Sequence, residues 1–220
     1  MALDFATLKR RQREEREGYP TNLGLRIHRA LSWLDRAEQC ESDDDARFIF
    51  LWIAFNAAYA NEIGDRDRDP EQKVFGKFLE KLVDLDQNEV RYELIWTEFS
   101  KSIRVLLDNQ FVYQPFWDFH NGLLEEDEWK TKFERAKVAA NKALGAHNTN
   151  AVLSIVLSRM YTLRNQLIHG GATWNSSVNR EQLRDCSGFL GKLVPYVIQL
   201  MMDNPNTLWG DACYPVVESS

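Results

Sequence analysis

Arg164, Asn165 and His169 place a guanidinium, an amide and an imidazole within the six residues Arg164-Asn165-Gln166-Leu167-Ile168-His169, which run straight into Gly170-Gly171. That combination suits phosphodiester chemistry. RNA can be cut without a metal when a base takes the 2′-hydroxyl proton, an acid protonates the leaving oxygen, and a cation steadies the charge on the phosphorane. Arg164 offers the cation and His169 one proton carrier. One imidazole cannot be both acid and base in a single turnover, so two copies of the motif meeting at a twofold axis would complete the set. The structural alternative is an Arg164 that bridges to an acid and a His169 that is simply exposed at a helix end.

The element that must position these groups is a helix over 151–169. Leu153, Val156, Met160, Leu163 and Leu167 recur at helical spacing and define its buried stripe. At ~100° per residue, His169 and Asn165 fall nearly opposite that stripe and share a face, with Arg164 on the flank. His169 is therefore expected to look outward. The two glycines beyond it are a helix stop, which puts His169 in the last turn, where the macrodipole favours positive charge.

The rest of the chain reads as helices between short polar breaks, and the fold class expected is all-α. A first helix over 3–17 is charged almost all round after Leu8 and reads as an arm or a partly frayed helix. Its Lys9-Arg10-Arg11 run is balanced by Glu14, Glu15 and Glu17 and reads as a solvated face. Leu23–Gln39 is amphipathic. Ser42 is the expected N-cap of the next helix, with Asp43, Asp44 and Asp45 in its first turn. The residues that follow, Phe48 to Tyr59, are apolar nearly all round and should be central, with Asn56 as a satisfied core amide.

Further helices are expected from Pro70 to about Leu85, over Glu89–Leu107 and over Glu126–Leu144. The aromatic stretch Phe111–Leu124 should hold short or irregular helix. Residues 145–150 read as a linker. Asn179 with Gln182 resembles an N-cap pair opening a helix over 180–203 that contains Pro195. The 204–220 tail, with Pro205, Gly210 and Pro215, is expected to be ordered or frayed without helix.

Other candidate sites are weaker. Asp65-Arg-Asp-Arg-Asp69 imitates the start of a calcium loop, but Pro70 stands where that loop needs glycine and Gly76 where its closing glutamate would be. A solvated turn is expected there. His28 and His120 read as structural or surface histidines, and His147 lies in the linker. Trp174 is placed to stack on an unpaired base, although packing in the core or at a dimer contact is the stronger reading.

Composition narrows the class. A chain of 220 residues with 44% hydrophobic content can bury a substantial core. A formal net charge of −6 argues against a surface that grips nucleic acid everywhere, so any RNA contact must be local. Residues 151–220 carry five basic and five acidic side chains, which makes the motif segment the least repulsive place for a polyanion. Cys40, Cys186 and Cys213 are odd in number and lack CxxC spacing, so neither a disulfide framework nor a zinc knuckle is indicated. A reducing cytoplasm fits. No secretory signal and no membrane span are expected.

Arg164-Asn165 with His169 resembles the R-(polar)-x-x-x-H signature of the HEPN superfamily. Phe48–Tyr59 is similar to the core helix of its stand-alone, Apea-like microbial members, and Leu163–Gly171 is similar to their motif. The resemblance covers about 23–62 and 151–203, with 63–150 standing as an insertion of extra helices. It implies one up-and-down helical bundle over 23–203, preceded by the 1–22 arm. It also implies a metal-independent, cofactor-free endoribonuclease whose site forms between two protomers. Arg164, Asn165 and His169 would be its catalytic residues. RNA, a second copy of the chain and an antitoxin or other protein would be its partners, in toxin–antitoxin or antiviral defence. Some members of the family instead bind nucleotide, RNA or protein without cutting.

Overall fold

The computed structural model describes residues 3–59, 78–82, 85, 93–207, 209–212 and 214. Among these the chain is all-α, with no β-strand. It divides into two compact units, 1–88 with 190–220, and 89–189. The calcium-loop imitation at 65–69 lies outside the described residues, as does most of the helix expected from Pro70; residues 78–82 are helical.

In the first unit, α1 (Phe5–Glu15) continues into a 3-10 turn, Arg16–Gly18, and is followed by α2 (Thr21–Glu38) and α3 (Asp44–Tyr59). The N-cap of α3 is Asp43, whose carboxylate accepts the Ala46 amide at 3.0 Å, and not Ser42. Four consecutive capping-competent residues, Ser42 to Asp45, leave the choice to the packing of the helix that follows. As expected, α3 is central: none of residues 43–58 is exposed. Phe48, Trp52 and Phe55 lie along one face with ring centroids 6.1–6.3 Å apart. They pack with the α2 stripe of Leu23, Ile27, Ala30, Leu31 and Leu34, all fully buried. Asn56 departs from expectation, because its Oδ1 is enclosed and accepts no hydrogen bond.

The arm reading of α1 is corrected. Leu8 and Gln12, one turn apart, are buried, and polar contacts fix both ends. The Phe5 amide donates to Glu38 Oε1 at 2.8 Å. Arg11 pairs with Glu15 at 2.7 Å and with Asp203 at 2.6 Å. A helix that is mostly charged thus docks through a narrow contact. Its N-cap, Asp4, accepts the Thr7 amide at 2.8 Å and is held below the usual carboxylate range by that bond. Glu15 is held low by Arg11.

A depressed folded-state value means the stabilisation is complete above the unfolded pKa and lost as pH falls through the folded one. Burial shifts Glu38 the other way, but a protonated Glu38 still accepts the Phe5 amide. Acidification from about pH 4 to about pH 2 should therefore release α1 first. Amide exchange at Thr7 and Leu8 should accelerate there while amides of α3 remain protected. Uniform loss of protection across both helices would count against this order.

Buried Arg26 has no signature in the apolar pattern of this unit. Arg26, inside the α2 stripe and 1% exposed, donates to three carbonyls: Nη1 to Ala58 at 2.9 Å, Nη2 to Asp211 at 2.6 Å and Nε to Gly210 at 3.3 Å. Arg29 Nη2 donates to the Tyr214 carbonyl at 2.6 Å. Trp209 is buried, with its Nε1 donating to the Asn204 carbonyl at 3.0 Å. The described residues after the last helix, 204–207, 209–212 and 214, are thereby held in place without being helical.

The second unit begins with a π-helical turn, Leu94–Glu98, closed by the Phe99 amide on the Leu94 carbonyl at 3.0 Å. It is followed by α4 (Ser100–Asp108), a 3-10 turn (Gln110–Val112), α5 (Gln114–His120), α6 (Glu126–Gly145) and α7 (Thr149–Ile168). The continuous helix expected over Glu89–Leu107 is broken at Phe99, whose φ of −111° leaves the helical range. Trp96 at the π turn donates to Thr149 Oγ1 at 3.0 Å and stacks on His147 at 4.4 Å. His147 is thus a structural residue of the α6–α7 connection, in a left-handed conformation with φ 51°. α8 (Arg180–Asp203) follows directly after Asn179 and continues through Pro195. Phe116, Trp129 and Phe133 form an aromatic core under Tyr113, Trp117, Phe119 and Leu124.

Candidate functional site

The motif sits at the C-terminal end of α7, whose N-cap Asn148 accepts the Ala151 amide at 3.0 Å. Val152, Leu153, Val156, Leu157, Met160 and Leu163 are buried along it, and Leu167 is half-buried. The helix stops where the diglycine requires. His169 is the C-cap and donates its amide to the Asn165 carbonyl at 3.0 Å. Gly170, at φ 70°, donates to the Leu167 carbonyl at 3.3 Å, and Gly171 to the Gln166 carbonyl at 2.7 Å. These paired bonds are the Schellman arrangement that ends a helix on a left-handed residue.

A Cβ on Gly171 would lie 3.2 Å from the Gln166 carbonyl oxygen, so both glycines are constrained, one by φ and one by space. Gly170→Ala should cost about 1–2 kcal/mol, the penalty of a side chain in the left-handed region. Urea titration checks it, and an unchanged midpoint would mean that the helix end rearranges freely.

His169 is exposed, as its position off the stripe requires, and among the described residues its imidazole has no hydrogen-bond or ion-pair partner. Arg164 and Asn165 are half-buried and meet directly, Arg164 Nη1 donating to Asn165 Oδ1 at 2.9 Å. The Arg164 guanidinium also lies 5.7 Å from the centroid of the Tyr161 ring, and its Nε is enclosed without an acceptor. Among the described residues Arg164 bridges to no acid. The three residues therefore divide into a bonded Arg–Asn pair and a separate imidazole, joined to Asn165 through backbone alone.

Several neighbours carry no motif signal. Gln166 Nε2 donates to the Phe111 carbonyl, which also accepts Trp117 Nε1 at 2.8 Å. This ties the aromatic stretch to the motif helix. Ile168 is 48% exposed, Trp174 74% and Val178 66%. Trp174 is thus not a core residue, and its apolar ring belongs to the surface that follows the motif. The loop bearing it is folded: the Ser176 amide donates to the Thr173 carbonyl at 3.1 Å, and Arg180 Nε to the Ser176 carbonyl at 3.0 Å.

His28 and His120 are exposed, the latter packed 4.4 Å from the Phe116 ring. Cys40 and Cys186 are free and buried, and burial pushes the Cys186 thiol up. Among the described residues, no group of three His, Cys, Asp or Glu side chains is disposed to hold a metal, and no helix is long and apolar enough to cross a membrane. Comparison of the chain with protein-family models, with curated proteins and with solved structures gives no match in any of the three.

Proposed function

We propose that this chain is a metal-independent endoribonuclease of HEPN type, built as an up-and-down bundle with inserted helices and acting as a homodimer in the cytoplasm. It cuts single-stranded or loop RNA by 2′-hydroxyl attack and leaves a 2′,3′-cyclic phosphate. The observation that carries the reading is an exposed, unpaired His169 one turn beyond an arginine whose Nε lacks an acceptor. Arg164 stabilises the phosphorane, His169 transfers the proton, and Asn165, already bonded to Arg164, orients the guanidinium for phosphate. The second proton carrier comes from the partner's motif. The exposed apolar residues Ile168, Trp174 and Val178 favour such a contact, because they lie in the motif or just beyond it and present apolar surface. The setting that goes with this activity is toxin–antitoxin or antiviral defence, with a protein antitoxin as the further partner.

The Arg164–Asn165 bond also favours a second reading, in which the same helix end binds a nucleotide, RNA or protein without cutting, since a guanidinium so engaged is already partly satisfied. Incubating the purified protein with mixed RNA in chelator separates the two: cyclic-phosphate ends are expected, and intact RNA leaves only the binding module. Mixing tests the shared site. At equal ratio of wild type and His169→Ala, about one dimer in four keeps both imidazoles, so activity per wild-type chain should fall by about half once subunits exchange. Undiminished activity, with exchange confirmed by tagged pull-down, would mean each protomer cuts alone.

A further inference from the structure

Arg159 lies about one and a half turns before the motif on α7 and is only 3% exposed. A buried guanidinium normally meets a carboxylate or several carbonyls, as Arg26 does. Arg159 meets neither. Its Nε and Nη1 are enclosed without an acceptor, and among the described residues it makes no ion pair with an acid. Its neighbours are aromatic faces, Tyr113 at 4.2 Å and Phe133 at 5.7 Å from the ring centroids. Burial accordingly drags its pKa down to about 10. Ring faces attract a cation but accept no N–H bond at strength comparable to an oxyanion, so the charge is held in place without being satisfied.

The Tyr113 hydroxyl, half-buried, makes no hydrogen bond. Lys132 acts on Tyr113 together with Arg159, and it is paired at 2.6 Å with Glu128. Trp129, in the same aromatic core, has an enclosed indole N–H without an acceptor. Among the described residues the Arg159 guanidinium, the Tyr113 hydroxyl and the Trp129 indole are thus donors without an acceptor, whereas Lys132 is already answered by Glu128. The third guanidinium nitrogen, Nη2, is not among the enclosed atoms and has no partner, so it is the group's point of access from outside.

We infer that Arg159 and the Tyr113 hydroxyl form a binding site for a small oxyanion, the phosphate or carboxylate group of a ligand, separate from the His169 motif. The oxyanion meets Nη2 and the phenol, and the aromatic faces hold the planar guanidinium in place. The site does not depend on RNA cleavage, so the inference stands or falls independently of the proposed activity.

Thermal melting of the full chain tests it, with inorganic phosphate or acetate added against chloride at matched ionic strength. One of the two anions should raise the wild-type melting temperature along a saturating curve and so identify the group. Arg159→Met should melt higher than wild type without anion, because an unpaired buried charge has been replaced by an apolar chain of similar length, and it should lose the saturating response. Tyr113→Phe keeps the ring under the guanidinium and removes only the hydroxyl. Its half-saturation concentration should rise about tenfold, a typical effect of one hydrogen bond to an anion. This variant keeps the test decisive even if Arg159→Met folds poorly. No saturating response in wild type, an equal response in Arg159→Met, or unchanged half-saturation in Tyr113→Phe would each overturn the site.

Discussion

His169→Ala is expected to lower RNA cleavage by about 10²–10⁴-fold, the usual worth of a positioned general acid or base, while leaving the fold almost untouched. The ring is exposed and bonded to nothing, so its removal should change stability by no more than about 0.5 kcal/mol. Arg164→Ala should lose about 10²–10³-fold, as for other donors aimed at developing phosphate or oxyanion charge. It differs in stability. Arg164 is half-buried against Tyr161 and bonded to Asn165, so truncation should cost about 1 kcal/mol. Gel assays in chelator and denaturant midpoints for both variants check the pair of expectations. A His169→Ala chain that cuts at the wild-type rate would remove the imidazole from the mechanism; one that unfolds would make it a structural residue.

The largest stability effect should come from the first unit, at Arg26. Deleting its guanidinium strands the carbonyls of Ala58, Gly210 and Asp211 and empties a fully buried site. With about 1–3 kcal/mol for each buried group left unsatisfied and partial relief by water beside the exposed Gly210 and Asp211, Arg26→Ala should cost about 3 kcal/mol. For a chain of this length that is a fall of about 6–12 °C in melting temperature. Arg26→Lys should recover only part, because a single ammonium cannot serve three carbonyls in fork geometry. Limited proteolysis after Trp209 gives a second readout, since Arg26 and Arg29 hold that segment. A loss below about 1 kcal/mol would show that the carbonyls find other donors.

What was legible in the sequence follows from what side-chain patterning encodes. The stop at Gly170-Gly171, the outward His169, the central α3 and the apolar stripes of α2 and α7 all rest on periodicity or on glycine, and each stands in the structure. Charged residues in buried places were hidden, because a pattern of apolar and polar positions assigns every arginine to the surface. Arg26 and Arg159 both fall inside buried arcs of their helices, where the apolar pattern gives no sign of them. α1 escaped for a related reason: Leu8 and Gln12 are too little apolar surface to announce a docking face. The break at Phe99 has no proline or glycine to mark it, and it depends on Trp96 finding Thr149 and His147, a contact no local window contains. At the site itself, the residue types were legible and the Arg164–Asn165 bond was not, since neighbours on a helix point in different directions until a flexible guanidinium folds back.

The Phe111 carbonyl, which accepts from both Gln166 and Trp117, has a consequence for how this part of the chain opens. A main-chain oxygen shared by two side chains from different helices is a rivet: it ties both to the 110–112 turn, and either helix that leaves gives up its hydrogen bond there. The 110–120 stretch and the last turn of α7 should then exchange their amides as one cooperative block with one opening free energy, rather than fraying independently as a surface turn and a helix end would. The last turn carrying the R-N-x-x-x-H groups is in this sense clamped from its side, and its rigidity is set by a peptide group more than fifty residues away in sequence.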